Sequence, residues 1–136
     1  MTSHVTKDKK LHIVDIGGNV GLFSLYCNHY FGVQESIVVE PDPENFALMK
    51  HNLDANNVQW VFYDKALYAH KGEVLFDNTL SPSWRKISNQ GKTVVETVSI
   101  ADLINLDTTY DILKIDIEWW EWNILIKEHQ QYYQRC

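Results

Sequence analysis

Several residues have the types and spacing that ligand chemistry requires. Asp15-x-Gly17-x-Asn19-x-Gly21 stands where an apolar run, Leu11 to Ile16, gives way to a helical pattern. Glycines there permit a tight turn and a close backbone approach, and the helix that follows offers free N–H groups beside it. A glycine turn between strand and helix can equally be only a turn. Glu40 closes a second apolar run about twenty residues on, where a carboxylate can accept hydrogen bonds from both hydroxyls of a ribose; the competing reading is a surface acid that precedes Pro41. Asp64, after a third run, is placed to accept from an adenine amino group or to be a lone loop aspartate. In Lys114-Ile115-Asp116-Ile117-Glu118, strand alternation brings the three charges to one side. Charges on a buried strand are costly unless paired or functional. A structural ion pair between Lys114 and Asp116, with Asp116 or Glu118 capping the next helix, is the alternative there.

The elements that would hold these residues follow from periodicity. Leu11 to Ile16 reads as a buried strand, and Val20 to Tyr30 as a helix through Val20, Phe23, Leu25, Tyr26 and Tyr30. Ser36 to Glu40 is a second strand, closed by Pro41-Asp42-Pro43, and Glu44 to Ala55 a second helix. Trp60 to Tyr63 is a third strand, with Asp64 to Ala66 the loop leaving its carboxyl end. Ala66-Leu67-Tyr68 and Glu73-Val74-Leu75-Phe76 flank a His70-Lys71-Gly72 turn, and Thr93 to Val98 is β-branched, which together predict an antiparallel excursion. Ser99 to Ile104 reads as a short helix with Ser99 as N-cap and Asp102 three residues on. Asp111 to Ile117 is a fourth buried strand, followed by a helix from Glu118 to about Glu128. Strands alternating with helices predict an α/β fold: a Rossmann-like, open, mostly parallel sheet with helices on both faces. In such sheets ligands bind outside the carboxyl ends of strands, where the glycine loop, Glu40, Asp64, Asp116 and Glu118 all fall.

A length of 136 residues fits one domain, read as a polar extension over 1–10 and a ligand-binding core over 11–136. A net charge of −6 argues against a nucleic-acid surface, which needs clustered Lys and Arg, and favours a small-molecule substrate. Cys27 and Cys136 form no disulfide framework, and no apolar run has the length of a signal peptide or membrane span; the expectation is a cytoplasmic protein with no membrane association. The dispersed histidines give no metal site, and no feature specifies an oligomeric state. The dinucleotide fingerprint G-x-G-x-x-G fails from either start: Asn19 and Leu22 interrupt it from Gly17, Val20 and Phe23 from Gly18.

Taken together, these segments resemble the FkbM family of methyltransferases, class I enzymes that use S-adenosylmethionine. The resemblance rests on Val14-Asp15-Ile16-Gly17-Gly18-Asn19-Val20-Gly21-Leu22-Phe23-Ser24, on Val39-Glu40-Pro41-Asp42-Pro43-Glu44-Asn45-Phe46, on Lys65-Ala66-Leu67 with Gly72-Glu73-Val74, and on Leu113-Lys114-Ile115-Asp116-Ile117-Glu118 with Glu121. It implies that Asp15, Gly17, Asn19 and Gly21, with Gly18 inside the same motif, surround the methionine part of the cofactor, that Glu40 holds its ribose, and that Asp116 and Glu118 lie near the methyl donor. It also implies O-methylation of a hydroxyl on a sugar or other small molecule, with Asp116 or Glu118 as the candidate base. Two departures stand out. Trp119 and Trp120 occupy places where the family usually has small residues, which leaves a substrate platform, a plug and simple surface exposure as their readings, and the chain stops soon after the fourth helix, which leaves room for a truncation of the class I sheet after its fourth parallel strand. Both features favour a competing reading, a cofactor-binding module without turnover. A nucleotide-sugar or NAD enzyme is the other alternative, disfavoured by the failed fingerprint.

Overall fold

The computed structural model describes residues 9–57, 60–69, 71–77, 86–87 and 89–117. Four parallel strands form the main sheet: β1 (Ile13–Ile16), β2 (Ser36–Val39), β3 (Trp60–Tyr63) and, late in the chain, β8 (Ile112–Ile115), in the order β3-β2-β1-β8. All four residues of β1 and all four of β2 are buried, as central strands covered on both faces must be, and this is why they read as largely apolar runs.

Helices α1 (Leu22–Tyr30) and α2 (Pro43–Ala55) connect β1 to β2 and β2 to β3. The chain steps in one direction across the sheet, so right-handed crossovers place both helices on one face. Ile13, Val38 and Trp60 meet Cys27 of α1 and Met49 and Leu53 of α2 there. Asp42 begins α2 as its N-cap, accepting from the Asn45 N–H at 2.9 Å, with Pro43 at the first helical position. The expected start of α1 at Val20 moves to Leu22 because residues 19–21 are spent on the turn.

The opposite face buries Val14, Ile16, Ile37 and Val39 against Leu67, Val98 and Leu103. Leu103 belongs to α3 (Ile100–Leu103), which starts with the expected capping box: the Asp102 N–H donates to Ser99 Oγ, and the Ser99 N–H to Asp102 Oδ2, both at 3.2 Å. Among the described residues helices thus lie on both faces, two on one and a short one on the other.

The excursion forms a second sheet of β4 (Ala66–Leu67), β5 (Glu73–Asp77), β6 (Lys86–Ile87) and β7 (Thr93–Val98), in the order β4-β7-β5-β6. Its β5 pairs antiparallel with β6 and β7, as expected. Ala66-Leu67 and Glu73 to Phe76 flank the turn in sequence but do not pair with each other; β4 runs parallel to β7, Ala66 opposite Thr97 and Leu67 opposite Val98. This register carries Leu67 and Val98 into the core of the main sheet, burying more apolar surface than a local hairpin would. The helix expected from Glu118 to Glu128, with Trp119, Trp120 and Trp122, lies outside the described residues, as do residues 1–8 of the polar extension.

Candidate functional site

Strand order reverses at β1, which has β2 on one side and β8, from the far end of the chain, on the other. The loop leaving β1 therefore opens into the crevice where such sheets bind ligands. Gly17, Asn19 and Gly21 have positive φ values of 82°, 52° and 90°, a left-handed alternation that glycine and asparagine accept most readily. The N–H groups of Gly17 and Gly18 donate to the Val39 carbonyl at 2.9 and 3.0 Å, and Gly21 closes the turn by donating to the Gly18 carbonyl at 2.8 Å. Each glycine also has a packing reason. A side chain at Gly17 would overlap the Asp116 carbonyl, whereas one at Gly18 would collide with Met49 and Val38, and one at Gly21 would crowd Met49. Gly17 thus faces the segment that leaves β8, Gly18 faces both α2 and β2, and Gly21 faces α2.

Glu40 is 5% exposed at the end of β2, which removes the reading of a surface acid. Its Oε2 accepts from the Asn19 N–H at 2.8 Å and its Oε1 from the Asp42 N–H at 2.9 Å. Burial pushes its carboxyl up to about 7, against the pull of those two backbone donors. An ionised carboxylate offers about four acceptor sites, so two remain for ligand hydroxyls.

Asp15 is fully buried. It accepts from Ser24 Oγ at 2.7 Å and from Lys114 Nζ at 2.9 Å, so it braces the loop from behind. The alternative reading of an ion pair between Lys114 and Asp116 is not what forms: Lys114 pairs with Asp15. Parallel register explains the choice, because Lys114 sits directly beside Asp15 across the β1–β8 ladder, whereas Asp116 lies past the end of β8 and is exposed. Backbone bonding still brings Asp116 to the site, its N–H donating to the Ile16 carbonyl at 2.9 Å. Asp64 is exposed just after β3, and Glu118 lies outside the described residues.

Two supports escaped sequence reasoning. Lys114 reaches the Gly17 carbonyl at 2.9 Å as well as Asp15, and Asn52 of α2 donates through Nδ2 to the Val20 carbonyl at 2.9 Å. The first depends on the β1–β8 register, which only the folded sheet gives; no local pattern marks the second. Among the described residues no group of three or more His, Cys, Asp or Glu side chains is arranged to hold a metal ion, and no helix is long and apolar enough to cross a membrane. A groove of about 310 Å³ lined by Lys9, His12, Gln34 and Asp111 lies at the amino ends of the strands, away from the glycine loop.

The family described as "Methyltransferase FkbM domain" matches residues 15–135. Methyltransferase 1 of Beauveria bassiana (strain ARSEF 2860) is 37% identical over 49 residues, covering 36% of this chain and 20% of that protein. The crystal structure of Methyltransferase FkbM from Methylobacillus flagellatus KT superposes with a TM-score of 0.60 at 18% identity, over 89% of this chain and 31% of that one. The chain therefore spans about a fifth of the curated relative and under a third of the solved chain, and the structural likeness is one of fold.

Proposed function

Because this chain belongs to the FkbM methyltransferase family, we propose that it binds S-adenosylmethionine at the carboxyl edge of β1, β2 and β8 and serves methyl transfer to a hydroxyl on a small molecule or sugar. The observation that carries this reading is Glu40, a carboxylate buried at a strand end and tied, among the described residues, to two backbone N–H groups, those of Asn19 and Asp42. Burying an acid there costs stability, and a ligand with paired hydroxyls is the partner that gives the cost a use.

The residues of this edge fit the cofactor. Glu40 accepts from the two ribose hydroxyls, the backbone of Gly17 to Gly21 lines the methionine part with Asp15 behind it, and Asp64 accepts from the adenine amino group. Asp64 and Asp116 make the exposed rim acidic, which suits a positively charged ligand. When bound, the cofactor supplies an electrophilic methyl group on a sulfonium. The chain's part is to hold the acceptor hydroxyl in line and to take its proton as attack proceeds. Asp116, exposed beside the Gly17 turn, is the base in this reading, and Glu118 shares the candidacy. The cytoplasm is the compartment we assign, in keeping with Cys27 as a free thiol.

Calorimetric titration of the purified chain with S-adenosylmethionine and, separately, with NAD tests the reading. Saturable heat is expected from the first and none from the second; binding of NAD alone would return the site to the dinucleotide enzymes.

A further inference from the structure

Lys114 carries a positive charge from β8 to the back of the glycine loop. Its Nζ donates to Asp15 Oδ1 and to the Gly17 carbonyl, each at 2.9 Å, and stands 5.4 Å from the centre of the Phe23 ring. Neutralising Asp15 requires only the first of these contacts. The second has a separate consequence, because the Gly17 carbonyl and the Gly18 N–H belong to one peptide unit. The Gly18 N–H donates to the Val39 carbonyl of β2 at 3.0 Å, so this unit is held at its two ends by strands on opposite sides of β1. Between two glycines a peptide plane can turn over at little steric cost, and nothing in the residue types of Gly17-Gly18 would prevent it.

The geometry points to Lys114 as a positioning residue that locks the Gly17–Gly18 peptide plane and so keeps the glycine loop in its ligand-binding shape. Turning that plane over would lose the Lys114 bond and the Gly18–Val39 bond together, two of the anchors of a loop whose Asn19 N–H meets Glu40. Lys114 thus couples β8 to the loop and, through the loop, to the carboxylate assigned to the ribose. The effect on affinity rests on the proposed S-adenosylmethionine site; the effect on the loop does not.

Lys114→Met alone leaves Asp15 as an uncompensated buried carboxylate and is expected to unfold the chain. The informative pair is Asp15→Asn against Asp15→Asn/Lys114→Met, since neither buries an unpaired carboxylate and they differ in the donor to Gly17. In the ligand-free proteins, the Gly18 amide of the double variant should exchange its hydrogen about tenfold faster than that of the single variant, after correction for global stability, and S-adenosylmethionine should bind about tenfold more weakly, the scale of one lost hydrogen bond to a charged group. Equal Gly18 exchange in the two variants would overturn the inference. Absence of S-adenosylmethionine binding in the parent would instead overturn the proposed site, with Gly18 exchange still deciding the role of Lys114.

Discussion

Glu40 makes the site sensitive to pH. Its carboxyl lies at about 7 in the fold against 4.5 for a free side chain, so between those values the folded chain holds a proton that the unfolded chain has released. Stability from this group is therefore fully present below about pH 4.5 and is lost as pH rises through 7, by about 3 kcal/mol over that window. Denaturant unfolding of Glu40→Ala and parent across pH 4 to 8 should show the parent losing stability relative to the variant as pH rises; parallel curves would show that Glu40 titrates normally. Gly17 has a steric role of equal weight. Its positive φ and its contact with the Asp116 carbonyl leave no room for a side chain, so Gly17→Val should lower unfolding free energy by more than 2 kcal/mol and abolish S-adenosylmethionine binding. A variant with parental affinity would make the loop purely structural.

Whether an element was legible depended on whether its determinants are local. Trp60–Tyr63 and the Ser99 capping box follow from short-range patterns, and both lie where the sequence places them. Ser99→Ala should cost about 1 kcal/mol in thermal or chemical unfolding; no loss would mean that packing of Ile100 and Leu103 alone holds α3. The parallel pairing of β4 with β7 was not legible, because alternation identifies strands but not their partners, and Leu67 is drawn to a core assembled from distant segments. The site divides in the same way. Glu40 and the glycine loop show as strand-end motifs, whereas the bond from Lys114 to Asp15 joins residues 99 positions apart and depends on a register that only the folded sheet reveals. Gly18 and Gly21 carry a packing constraint that the sequence does not show: a side chain at either would meet Met49 of α2, and one at Gly18 would also meet Val38 of β2.

At the scale of the molecule, topology does what no single motif can. The order β3-β2-β1-β8 gathers the glycine loop, Glu40, Asp64 and Asp116, widely separated in sequence, at one edge of one sheet. The same order explains the single-sided placement of α1 and α2 and leaves the edge beyond the strands' carboxyl ends for a ligand. If this edge holds S-adenosylmethionine through Glu40, the affinity of Glu40→Ala shows it most directly. Titration of variant and parent should show binding weakened by about 1 to 3 kcal/mol in a variant that remains folded, the usual cost of losing hydrogen bonds to a charged acceptor. Unchanged affinity in a folded variant would contradict it.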